Sequence, residues 1–159
     1  MSSNRVNLDL KGLEKVTGQL KNAGKVRVGI LGSGKKRRGD SLSNVEIGRI
    51  HEFGSISRKI PARSFLRVPL RKNADKLLAV LQDNILAKQA LSQGNAILAL
   101  ELLGVKAEAI VLGAFRNNGY GTWARLKSST LKKKRSNKPL IETGQLRRAI
   151  TSKVVASGT

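Results

Sequence analysis

The chain has 159 residues, of which 31 are Lys or Arg and 10 are Asp or Glu, giving a formal charge of +21. That length fits a single domain, 1–159, and the surplus of positive charge attracts polyanions: nucleic acid, an anionic membrane or an acidic protein. The absence of cysteine excludes a disulfide framework, a thiol nucleophile and a cysteine-based zinc site.

In chain order, Val6, Leu8 and Leu10 alternate with Asn7 and Asp9, which predicts a short half-buried strand. Leu10 to Leu20 predicts a helix with Leu13, Val16 and Leu20 on one stripe, closed by Asn22-Ala23-Gly24 with Gly24 in a left-handed conformation. Lys25 to Leu31 predicts a strand with Val26, Val28 and Ile30 on one face, and Gly32 to Ser43 a loop rich in glycine, serine and cations. Ser43 and Glu46 have the spacing of a capping box, opening a short helix through about His51. This completes a first part, 1–44, and begins a helical part, 45–116.

Pro61 sets Ile60 to Arg63 as extended chain. Ser64 caps a turn carrying Phe65 and Leu66, which Pro69 interrupts. A helix is predicted from Ala74 to Leu91, with Leu77, Leu78, Leu81, Ile85 and Leu86 as its apolar stripe. After the turn Ser92-Gln93-Gly94-Asn95, Ala96 to Phe115 predicts a second long helix, the most buried element, pairing antiparallel with the first. Glu101, Lys106 and Glu108 interrupt that stretch, so no membrane span is expected. Met1 to Asp9 lacks the apolar run of a secretory signal.

The last part, 117–159, is mostly irregular to Lys138, followed by a short helix, Gly144 to Ala149, capped by Thr143, and a terminal strand from Ile150 to Val155. The expected fold is α+β: a small, mainly antiparallel sheet packed against two long helices, with extended basic loops.

No catalytic constellation is expected. His51 is the single histidine and the acids are scattered, so neither an enzyme, a metal site nor a cofactor is expected. Gly29 to Lys36 follows a strand with the glycine spacing of a phosphate-binding loop. Lys36, however, stands where that loop needs Ser or Thr for magnesium, and the residues that follow are a poor helix start. Arg38-Gly39-Asp40 spells an integrin-type tripeptide without the secreted context that would give it meaning. The candidate polyanion or partner contacts are two loop clusters: Lys35, Lys36, Arg37 and Arg38, and then Lys127, Lys132, Lys133, Lys134, Arg135 and Lys138. Aromatics are scarce, with Tyr120, Trp123 and three Phe, so stacking on single strands is not expected.

Two stretches carry a family pattern. The first is Val45-Glu46-Ile47-Gly48-Arg49-Ile50-His51-Glu52-Phe53-Gly54, with Ile60-Pro61-Ala62-Arg63-Ser64-Phe65-Leu66 after it. The second is Trp123-Ala124-Arg125-Leu126 with Thr130, then Lys138-Pro139-Leu140-Ile141-Glu142-Thr143-Gly144-Gln145-Leu146-Arg147-Arg148-Ala149-Ile150. Together they resemble the virion morphogenesis and tail-completion proteins of tailed bacteriophages, over roughly residues 45 to 155. Ser64 departs from the pattern, standing where a second proline is common. The motif residues read as structural: Phe53 and Phe65 as large buried side chains, Gly54 and Gly144 as turn formers, Pro61 as the fixed entry to the helices, Thr143 as a cap and Leu146 as packing.

The resemblance implies a structural virion protein of the neck, at the head–tail junction, made in the host cytoplasm. Its partners would be copies of itself in a hexameric or dodecameric ring, portal or adaptor proteins and tail-tube or tail-terminator proteins. Non-specific contact with genomic DNA is also implied, and no membrane. Two other readings stay open: a free, sequence-independent nucleic-acid-binding protein, and a nucleotide hydrolase using residues 29–36.

Overall fold

A computed structural model of the protein describes residues 10–32 and 41–156. The predicted first strand and the cluster Lys35, Lys36, Arg37 and Arg38 lie outside the described residues, except that Leu10 opens a helix. The architecture is α+β, with a two-stranded antiparallel sheet and several helices.

The helix α1 (Leu10–Ala23) places Val16, Leu20 and Ala23 against the core. Gly24 has a positive φ of 126°, outside the left-handed helical value expected for it. The Val155 carbonyl occupies the space a Cβ there would need. Strand β1 (Lys25–Ile30) pairs antiparallel with β2 (Ile150–Val155), from Lys25 opposite Val155 to Ile30 opposite Ile150. Side chains alternate across a strand, so Val28, Ile30 and Ile150 turn to the core while Arg27 and Lys153 lie opposite each other, exposed.

Helix α2 (Asn44–Phe53) begins with the predicted capping box, the Ser43 side chain and Glu46 each satisfying the other's backbone N–H. The helix runs two residues beyond the His51 end read from sequence. Pro69 does not interrupt the next element. It lies within α3 (Arg67–Lys72), in the first turn, where a backbone N–H would have no intrahelical acceptor and proline is tolerated.

The predicted long helix over 74–91 divides into α4 (Ala74–Asp83) and α5 (Ile85–Ser92). Asn84 breaks it: its ψ of 121° is extended, and its side chain accepts the Ala87 N–H 3.0 Å away, capping α5. The break changes the phase of the apolar stripe. Leu78, Ile85 and Leu86 are 56, 79 and 60 % exposed, and Val80, Ala87, Ala90 and Leu91 are buried instead.

Helix α6 (Ala96–Arg116) is the longest element and supplies the most buried residues. The sheet packs against it closely because Gly104 lacks a side chain: a Cβ there would lie 2.7 Å from Ser152 Oγ. Glu108 accepts the Ser152 N–H and fastens β2 to the helix. The chain then passes through α7 (Ser128–Leu131) and α8 (Gln145–Arg148) into β2. One core cluster lies at the C-terminal end of α6, around Phe65, Val111, Phe115, Trp123, Leu146 and Ile150. The other lies where α5 and the start of α6 meet α1.

Candidate functional site

The two motif-bearing stretches meet in space; of three ties, the first fixes the first stretch internally and the other two join it to the second. The first is built on Glu52, near the end of α2 and only 6 % exposed. Its carboxylate accepts the Ser64 hydroxyl at 2.5 Å and the backbone N–H groups of Phe65, Leu66 and Arg67 at 2.9, 3.0 and 3.0 Å. Ser64 Oγ accepts the Val68 N–H at 3.0 Å. Unpaired N–H groups at a helix start need acceptors, and an anion there also opposes the positive end of the helix dipole. Glu52 and Ser64 thus form a composite cap for α3.

The second tie is Arg63, 6 % exposed. Its Nε and Nη2 donate to the Ala124 carbonyl at 3.2 and 3.0 Å, and its N–H donates to the His51 carbonyl at 2.7 Å. Burial lowers its pKa from the ordinary arginine value, without making a guanidinium titrate near neutrality. The third tie is Trp123, whose Nε1 donates to the Ser64 carbonyl at 3.1 Å. Its ring packs edge-on against Phe115 at 6.0 Å, and Phe115 lies 5.2 Å from Phe65.

Between these segments runs a groove of 1520 Å³. One wall is the turn 54–60, closed by paired hydrogen bonds between Ser55 and Ile60, each 2.9 Å. Gly54 enters it at φ 78°, ψ 178°, a region open essentially to glycine alone. The opposite wall is 124–127. Ile47, Leu140 and Leu146 give the lining apolar ground. Arg58, Lys59, Arg125 and Lys127 are exposed groove residues, and Ile56, 99 % exposed, also lines it.

The predicted contacts divide. Lys127 lines the groove, while Lys132, Lys133, Arg135 and Lys138 are exposed on the chain just beyond. Lys134 is not a free contact, because its Nζ donates to the Ile141 carbonyl at 2.6 Å and pairs with Glu142 at 3.3 Å. The Arg135 N–H at 3.1 Å completes the anchoring of that carboxylate. This N–H is the leading cause holding the Glu142 carboxyl below its ordinary range; desolvation opposes it, and Lys134 adds to the lowering.

Two motif readings are corrected. Phe53 is 61 % exposed, held under the Arg67 guanidinium at 5.4 Å and not in the core. Thr143 does not cap: it is exposed, and Gly144, at φ 74°, takes the cap position of α8 with no side-chain bond. Phe65, Leu146 and Pro139 are buried, Leu66 and His51 partly so, and Pro61 and Arg147 exposed. Arg58, Lys59 and Arg125 were not singled out by sequence. Their signal was weak: the first two lie between the turn formers Gly54 and Pro61, the third two residues past Trp123.

Among the described residues no group of three or more His, Asp and Glu side chains is placed to hold a metal, and no helix is long and apolar enough to cross a membrane. The chain matches no family model, no curated protein and no solved structure.

Proposed function

We propose that this protein is a structural component of a tailed-phage virion: a neck or tail-completion subunit that assembles into a ring joining head and tail around the DNA channel, and that works by binding and not by turnover. The observation that carries the reading is the convergence of the two motif stretches on one groove, joined by Arg63 and Trp123, with Glu52 fixing the first stretch. Those residues fix a shape and leave its lining outward. In this reading the sheet and the helices beside it are the rigid body, and the basic loops are contact arms.

Exposed apolar side chains give further support. Ile56 and Phe53 lie at the groove, and Ile85 and Val105, 79 and 63 % exposed, lie on the helices. A contiguous apolar patch is the mark of a surface that a neighbour covers, and of these side chains Ile56 and Phe53 share the groove.

A second reading, a free nucleic-acid-binding protein of no sequence preference, is favoured by exposed Lys132, Lys133, Arg135 and Lys138 beside the groove. Sedimentation of the purified chain at low and high salt, with and without DNA, separates the two. A closed oligomer that survives high salt is expected. Association only with DNA, dissolving as salt rises through counterion uptake, would overturn the ring in favour of the second reading.

A further inference from the structure

We infer that the groove between 54–63 and 124–146 takes an extended, acidic segment of another protein, one that carries apolar side chains among its carboxylates. The inference names the partner chemistry of the assembly reading above, and rests on it in taking the occupant to be a protein.

Six cationic side chains line the groove against a single carboxylate, Glu142. That carboxylate is already occupied by Lys134 and the Arg135 N–H. Arg63 is spent on backbone carbonyls, which leaves Arg58, Lys59, Arg125 and Lys127 exposed to meet an anion. Four cations around one cleft raise the local potential and select a negatively charged occupant.

These 159 residues do not supply that occupant: their 10 carboxylates are dispersed, no two closer than five positions apart, so no segment of them, in this copy or a second, offers an acidic run. A second copy would instead bring like charge to the cleft.

The lining decides between protein and nucleic acid. Ile60, Leu126 and Leu140 give the groove apolar ground, and Ile56 adds an almost fully exposed side chain. A phosphate backbone gains nothing from such a surface, whereas an apolar side chain gains in proportion to the area it buries. The one phenyl ring lining it, Phe53, has the Arg67 guanidinium over one face at 5.4 Å, which leaves a single face for any base to stack on. A cleft of 1520 Å³ also has room for several side chains at once, as an extended peptide needs.

The test is fluorescence anisotropy with the full chain and three labelled probes. These are a short Asp- and Glu-rich peptide with a central Phe-Leu pair, the same peptide with Ser-Ser in that place, and a single-stranded DNA of equal net charge. The first is expected to bind roughly tenfold or more tighter than either control. Arg58→Glu combined with Lys127→Glu should weaken it by at least roughly tenfold, with an unchanged circular dichroism spectrum. Ile56→Ser, at a site too exposed to affect folding, should weaken the Phe-Leu peptide alone. Absence of peptide binding, equal binding of the Ser-Ser peptide, tighter binding of DNA, or indifference to the rim substitutions would each overturn the inference. Sedimentation of the same samples keeps the two proposals apart. A salt-stable oligomer that ignores the peptide retains the ring and removes this occupant; a chain that binds the peptide and stays monomeric retains the occupant and removes the ring.

Discussion

Replacing Glu52 by Ala would leave the backbone N–H groups of Phe65, Leu66 and Arg67 without their acceptor at the start of α3. Each buried donor stranded in this way costs about 1–3 kcal/mol, and partial relaxation toward water should hold the total near 3–5 kcal/mol. Chemical denaturation of Glu52→Ala should show that loss. Glu52→Gln should recover only part of it, because an amide turns a donor toward groups that are themselves donors. The two motif phenylalanines should behave oppositely. Phe65, 2 % exposed, should cost about 3–5 kcal/mol as Phe65→Ala. Phe53→Ala removes a ring that is mostly in solvent and one contact with Arg67, so it should stay within about 1 kcal/mol of the parent. Equal losses in the two variants would show that the groove wall carrying Phe53 belongs to the core.

At the scale of elements, legibility follows the range of the interaction that defines each one. The Ser43 box, β1 and α6 were readable because a cap or an apolar period lies within a few residues. The helix break at Asn84 escaped. Asn84 divides α4 from α5 within a run whose apolar residues suit a continuous helix, and nothing local says that the core needs Val80, Ala87 and Leu91 more than Leu78 and Ile85. The groove was legible only as two motifs in sequence. Glu52 finds its partners 12 to 15 positions later and Arg63 finds Ala124 61 positions later, distances at which a single sequence gives no pairing signal. The segment 134–142 shows what such a tie does. The Glu142 carboxyl, held low first by the Arg135 N–H and then by Lys134, is depressed in the folded state. Its stabilising contribution is therefore present above the unfolded carboxylate pKa and is lost as pH falls through the lower folded value. The Glu142 carboxyl carbon should accordingly titrate in carbon-13 NMR below the ordinary glutamate range, with the Arg135 amide shift following it. A titration at the ordinary value would mean that the loop is untethered in solution.

For the whole molecule the decisive quantity is where the charge of +21 sits. Residues 74–109 hold four of the ten carboxylates and only three of the 31 cations, so the whole surplus falls on the remainder of the chain, the groove side included. Like charges crowded on part of a small fold repel one another and lower its stability. Salt screens that repulsion over a Debye length of about 10 Å at 0.1 M. The melting temperature should therefore rise as salt is added from a low starting concentration, the opposite of a fold that depends on exposed ion pairs. Lys132→Ser with Lys133→Ser and Lys138→Ser removes three exposed cations and should raise the low-salt melting temperature while flattening its salt dependence. Lys134→Ser also removes one positive charge, yet it breaks the bonds to Ile141 and Glu142 and should lower the melting temperature at every salt concentration. Scanning calorimetry of both variants across salt decides the matter. If all four lysines behave alike, charge alone governs the segment; if only Lys134 destabilises on removal, the basic run divides into one structural anchor and a set of cations left free for a partner.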